Sequence, residues 1–161
     1  ARTTVLDQLE LLANTADTLE ATMHKAMERN LWILGPEYSL FSSNQTLQRQ
    51  VEDYLAKEYQ GKQANKRPDL LLNENLNGEY LLIEFKRPSH ALGYKDYQQA
   101  TAYRHDFLKH VLKPIRVLLI GGKRSADYPT QNLEPNVSAL LFTDIISTAR
   151  RQIQWQLRMN S

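Results

Sequence analysis

Two acids and a lysine, Asp69, Glu84 and Lys86, are the residues in this sequence best placed to do chemistry. Glu84 and Lys86 lie two apart in the run Tyr80-Leu81-Leu82-Ile83-Glu84-Phe85-Lys86, apolar on both faces. Asp69 follows Pro68 and opens a second run, Asp69-Leu70-Leu71-Leu72. Strand side chains alternate, so Glu84 and Lys86 share a face. Between the runs lies Asn75-Leu76-Asn77-Gly78, a hairpin signal, because Asn-Gly tolerates the positive φ such turns need. A turn of Asn77-Gly78 alone puts Asp69 opposite Lys86; a loop from Asn75 to Gly78 puts it opposite Glu84. Either register gathers the three side chains on one face, and a slip by one residue would separate them.

Two carboxylates gathered on buried strands repel each other, and desolvation adds to the cost. A divalent cation relieves both. Mg²⁺, with Mn²⁺ as a substitute, prefers carboxylate oxygens, keeps several waters and is shared readily with substrate phosphates. At a phosphodiester it lowers the pKa of a bound water, polarises the phosphoryl oxygen and stabilises the leaving oxygen. Lys86 would orient the attacking water or neutralise charge developing on the phosphorus oxygens. The plain alternative has the acids capping strand ends and Lys86 pairing with one of them. Against it stand Pro68 before Asp69, the linking hairpin, and the apolar setting of Glu84, where an unmatched charge is costly.

Downstream, Gln99 and Tyr103 stand at i and i+4 on a helix expected over 94–111, so they share one helical face. Gln99 could hold the water or a phosphate, and Tyr103 could touch a nucleic-acid backbone; otherwise they are a surface Gln and a packing Tyr. Basic residues flank the acids: Lys57, Lys62, Lys66 and Arg67 before them, Arg87, Lys95, Arg104 and Lys109 after. Arg87, Lys95 and Arg104 are the candidate nucleic-acid contacts, against the ordinary reading of a solvated surface. His24, His90, His105 and His110 have no ligand spacing to rival the acids; His90, nearest the site, reads as a loop histidine. Trp32 reads as core, and Trp155 as packing one face of the last helix. Gly121-Gly122-Lys123 lacks the spacing of a phosphate-binding loop.

The elements that must hold these residues follow from periodicity. Residues 5–29 show helical spacing through Val5, Leu9, Leu12, Ala16, Leu19, Met23 and Met27, divided at Asp17 or Thr18 and ended by Asn30 and Gly35-Pro36. A short strand is expected at 38–41, a helix at 46–59 and a polar loop at 61–67. After the hairpin come the helix at 94–111, a strand at 115–120 closed by Gly121-Gly122, and a polar loop through Pro135. A strand at 137–142 and a helix at 144–158, with Ile145, Ile146, Ile153 and Leu157 apolar, complete the chain. The layout is α/β on a mixed central sheet flanked by helices.

Pro68-Asp69 followed by Glu84-Phe85-Lys86 resembles the PD-(D/E)xK nucleases, which share an αβββαβ core. Gln99 and Tyr103 resemble the Gln-xxx-Tyr element of RecB-like members. More narrowly, Leu31-Trp32-Ile33-Leu34-Gly35-Pro36-Glu37-Tyr38, with Leu82-Ile83-Glu84-Phe85-Lys86-Arg87-Pro88-Ser89, is similar to the nuclease domain of Shedu proteins, which defend bacteria against phage. The resemblance spans residues 25–110. It implies a restriction-endonuclease-like fold with its catalytic core over 25–122, and Mg²⁺-dependent cleavage of DNA in the bacterial cytoplasm. It also implies a homo-oligomer with regulatory domains outside this chain. Many members add an upstream Glu as a metal ligand. Glu37, beside the Gly-Pro break, ranks first here, Glu28 second, and Glu20 is the remaining candidate.

Composition bounds the alternatives. The 161 residues, 42% apolar and 24% charged, fit one soluble domain over 1–161. No apolar run is long enough to span a membrane, and no secretory signal opens the chain. The first residue is Ala1 rather than Met, which reads as a fragment of a longer protein. The absence of cysteine excludes disulfides and thiolate metal sites. A net charge of +2 decides little alone. Beside the nuclease stand two other functions: a catalytically inactive nucleic-acid-binding module on the same fold, and an oligomerisation module. The adjacent acids argue against binding alone, since they repel phosphate.

Overall fold

The computed structural model describes residues 1–35, 41–42, 70–74, 78–109 and 113–160. Its strands are β1 (Phe41–Ser42), β2 (Leu70–Glu74), β3 (Tyr80–Phe85), β4 (Ala91–Leu92), β5 (Ile115–Gly121), β6 (Lys123–Arg124) and β7 (Val137–Leu141). Its helices are α1 (Arg2–Ala13), α2 (Glu20–Glu28), α3 (Tyr94–Leu108) and α4 (Phe142–Met159), with a 3₁₀ turn at Leu31–Leu34.

The run carrying Glu84 forms the middle of a five-stranded sheet ordered β1-β2-β3-β5-β7. β1, β2 and β3 pair antiparallel, whereas β3, β5 and β7 pair parallel, so the sheet is mixed. Every residue of β3 is buried, as its continuous apolar pattern predicts for a strand covered on both faces. Leu70 stands opposite Ile83 and Asn73 opposite Tyr80, the register of the longer hairpin loop. Gly78 has φ of 66°, which only glycine adopts without strain.

Alternation along β3 divides the core. Leu81, Ile83 and Phe85 join Leu118 and Ile120 against Leu6, Leu9, Met23, Met27, Phe142, Ile145 and Ile146 of α1, α2 and α4. Tyr80 and Leu82 join Val117 and Leu119 against Ala100, Tyr103 and Phe107 of α3. Each fully buried Leu, Ile or Phe contributes about 1.5–3 kcal/mol relative to exposure. By the same alternation Glu84 belongs to the α3 side.

The first helix divides between Ala13 and Glu20, across the expected break at Asp17 or Thr18, where the buried Thr18 hydroxyl donates to the Leu12 carbonyl at 2.7 Å. Other expectations shift. The last strand stops at Leu141 and Phe142 opens α4, because its ring is buried from the helix's first turn. β4 and β6 form a small parallel pair inside stretches expected to be loops; two-residue strands carry no periodicity to read. Trp155 does not pack the last helix's face, and Leu157 is not in the core. Ile145, Ile146 and Ala149 are buried and Ile153 partly so, but α4 then runs past the core and leaves Trp155, Leu157 and Met159 more than 60% exposed. The expectations at 38–40, 46–59, 61–67 and 75–77 lie outside the described residues. Among the described residues no helix is long and apolar enough to cross a membrane.

Candidate active site

The site forms where β3 ends and α3 begins. The Lys86 N–H donates to the Ile120 carbonyl at 2.8 Å, so the β3–β5 ladder carries on past Phe85 and fixes the backbone of Lys86. Pro88 then breaks the strand, and a tight turn closes with His90 N–H donating to the Arg87 carbonyl at 2.9 Å. This turn lies directly against Gly122. A Cβ there would fall 1.5 Å from the Pro88 oxygen, so only glycine fits. Gly122 N–H donates to His90 O and Ser125 N–H to Leu92 O, which ties the turn to the segment after β5. α3 begins after Gly93, whose N–H donates to Asp96 Oδ2 at 2.8 Å. An acid in the first helical turn suits both the unpaired N–H groups and the helix dipole.

These backbone constraints gather four side chains. Glu84 is only 3% exposed. Lys86 Nζ lies 3.2 Å from Glu84 Oε1 and 4.0 Å from Asp96 Oδ1. His90 Nε2 lies 2.9 Å from Asp96 Oδ2. Burial alone would lower the Lys86 pKa. The charge and hydrogen bond of Glu84, helped by the charges of Glu20 and Asp96, outweigh burial and hold it above its ordinary value. Lys86 is therefore a standing cation at neutral pH, able to stabilise negative charge and unsuited to accept a proton.

The energetics of the pair favour a functional explanation. At 3.2 Å the attraction is about 5 kcal/mol for an effective dielectric of about 20. Desolvation costs several kcal/mol for each ion. The two nearly cancel, so an apolar pair of similar shape would stabilise the sheet about as well. A charged pair in the central strand is explained by what the charges can do.

The other sequence candidates fall into three groups. Asp69 and Glu37 lie outside the described residues. Arg87 and Lys95 are exposed, flanking the site in sequence, and Gln99 is half-buried on α3, one turn beyond Asp96. Tyr103 and Arg104 serve the fold. Tyr103 is 2% exposed in the core, so its ring is not offered to a nucleic acid. Arg104 donates to the Ile115 carbonyl at 2.8 Å and to Glu134 at 3.0 Å, which locks α3 onto β5 and the loop before β7. Of the described upstream acids, Glu20 is the one whose charge reaches Lys86. Glu28 instead pairs with His24 at 3.6 Å, and His24 stacks on Phe85. Asp96 was absent from the sequence candidates. Its signal is local: an Asp at the third position of a helix that opens after glycine.

For a divalent cation, Glu84 supplies a buried hard oxygen donor of the type Mg²⁺ prefers. Among the described residues no group of three or more His, Asp or Glu stands close enough to hold a metal. No protein-family model matches the chain, and no curated protein matches its sequence.

Proposed function

We propose that the chain is a phosphodiester hydrolase, and more narrowly a divalent-cation-dependent endonuclease acting on DNA. One observation carries the reading. A buried carboxylate and a protonated lysine share one face of the central strand at its C-terminal end, 3.2 Å apart. In open α/β sheets that end of the parallel strands is where ligands bind. The antiparallel register supports a second acid there. Leu70 opposes Ile83, and one further step of the same register would set Asp69 against Glu84. The chain order of helix, β1, β2, β3, α3 and β5 supports a restriction-endonuclease-like αβββαβ core.

Glu84 and Asp69 would hold Mg²⁺ or Mn²⁺, and the bound ion would supply an acidified water and offset charge on the leaving oxygen. Lys86 contributes a fixed positive charge beside the phosphoryl oxygens as they gain negative charge. Gln99, one turn beyond Asp96 on α3, would orient the attacking water. Arg87 and Lys95 meet phosphates, which fixes the duplex without reading its sequence. The resemblance to Shedu nucleases supports DNA as the substrate, defence against phage in the bacterial cytoplasm as the setting, and a homo-oligomer regulated by further domains.

The test is cleavage of linear and nicked DNA with Mg²⁺ or Mn²⁺ by the wild type, Asp69→Ala and Lys86→Ala. Cutting that disappears in both variants supports the assignment. Cutting that survives in either variant, or DNA bound and never cut, removes it. A second reading, an oligomerisation module, is favoured by Trp155, Leu157 and Met159 exposed at the end of α4. It predicts that Trp155→Ser with Met159→Ser converts an oligomer to a monomer in sedimentation.

A further inference from the structure

Among the described residues Lys86 has two acidic neighbours within 4.0 Å, and they are built differently. Glu84 is two residues away on the same strand, 3.2 Å from the ammonium. Asp96 reaches in from α3 at 4.0 Å, with its side chain only 11% exposed. Its Oδ2 is already committed, accepting from Gly93 N–H at 2.8 Å and meeting His90 Nε2 at 2.9 Å. A first-turn acid that only caps a helix needs the backbone N–H and nothing more. Here the remaining oxygen, Oδ1, points to the ammonium, and a histidine holds the carboxylate from the other side.

The arrangement answers a conflict within the site. An ion pair between Glu84 and Lys86 neutralises the two groups the chemistry needs. Glu84 meets the ammonium through Oε1, and a cation that takes this oxygen draws it off, so that Lys86 loses its principal anchor. A free lysine side chain regains its rotamer freedom and ceases to be aimed. We propose that Asp96 is a positioning residue: it retains the Lys86 ammonium at the end of β3 once Glu84 releases it, and His90 holds Asp96 in place. The proposal rests on the nuclease reading and assigns it a residue that the two-acid-and-lysine pattern does not contain.

Lysine-ammonium proton–nitrogen NMR on the whole chain in EDTA isolates this role, with the Lys86 signal assigned by its loss in Lys86→Met. Glu84→Gln mimics release of the ion pair, and the Lys86 signal is expected to persist in it. Adding Asp96→Asn, which keeps an oxygen for the Gly93 N–H, is expected to abolish the signal. Loss of the signal in Glu84→Gln alone, or its persistence in the double variant, overturns the proposal. Should that double variant fail to fold, Glu84→Gln with His90→Ala takes its place, since His90 holds Asp96 at 2.9 Å. Broadening of the Lys86 signal relative to Glu84→Gln supports the role, and an unchanged signal refutes it. In cleavage assays Asp96→Asn is expected to lower kcat on the order of 10- to 100-fold, with KM for DNA within about twofold. A wild type that cuts no DNA defeats the nuclease reading, while the NMR result still decides the role of Asp96.

Discussion

Replacing Lys86 by methionine keeps most of the side chain's length and deletes its charge. The consequence is set by Glu84, which is 3% exposed and has the ammonium at 3.2 Å. Removing about 5 kcal/mol of attraction without restoring water to the carboxylate takes from a buried charge its ammonium partner, a loss of about 3–5 kcal/mol. Glu84→Gln leaves the opposite orphan in a milder setting. The ammonium keeps Asp96 at 4.0 Å and its side chain is 17% exposed, so the expected cost is about 1–2 kcal/mol. The double variant, Glu84→Gln with Lys86→Met, has no buried charge to strand and should lie within about 1 kcal/mol of wild type. Urea unfolding of all four proteins in EDTA gives the coupling directly. The pH dependence supplies the sign. In the wild type burial lowers the Lys86 pKa, but Glu84 outweighs it and the folded value lies above the unfolded one. The pair's contribution is therefore fully present below the unfolded pKa of about 10.4 and is lost as pH rises through the folded one, a loss that Lys86→Met lacks. Additive single effects, or a Lys86→Met loss under about 1 kcal/mol at pH 7, would refute the view that the two charges sustain each other in the core.

Four further outcomes follow from the same geometry. Gly122→Ala would set a Cβ 1.5 Å from the Pro88 oxygen, so the turn after β3 must move. It should cost about 1–3 kcal/mol in thermal unfolding and reduce cleavage more than a core substitution of equal cost. Arg87→Ala and Lys95→Ala should each leave stability unchanged and lower the slope of log affinity against log salt by about 0.9 in DNA binding. Arg104→Ala should instead destabilise, because its guanidinium holds Ile115 and Glu134. Phe85→Ala, which removes a fully buried ring stacked by His24, should lose about 3–5 kcal/mol on calorimetry, independent of added metal.

Most of what was legible in the sequence lay in long, strongly patterned runs. The continuous apolar stretch around Glu84 has one sensible place in an α/β fold, the covered middle of the sheet, and that is where β3 lies. The Asn-Gly pair marked the hairpin but left two registers open; the backbone pairing of Leu70 with Ile83 selects one. What periodicity could not reveal depends on tertiary contact. Tyr103 and Arg104 have the types of nucleic-acid contacts, yet neighbours absent from the local sequence draw one into the core and the other to Glu134. Asp96 and His90 become partners only when the turn at Pro88 folds onto Gly122. Trp155 shows the reverse: helical spacing continues to the end of α4, but the core beneath it does not.

Anomalous diffraction from crystals soaked in Mn²⁺ addresses the proposed chemistry at its centre. A peak about 2 Å from carboxylate oxygens of both Glu84 and Asp69, absent after Glu84→Gln, is the expected result. Saturating Mn²⁺ that leaves Glu84 without a peak, in a protein that also leaves DNA intact, would contradict it.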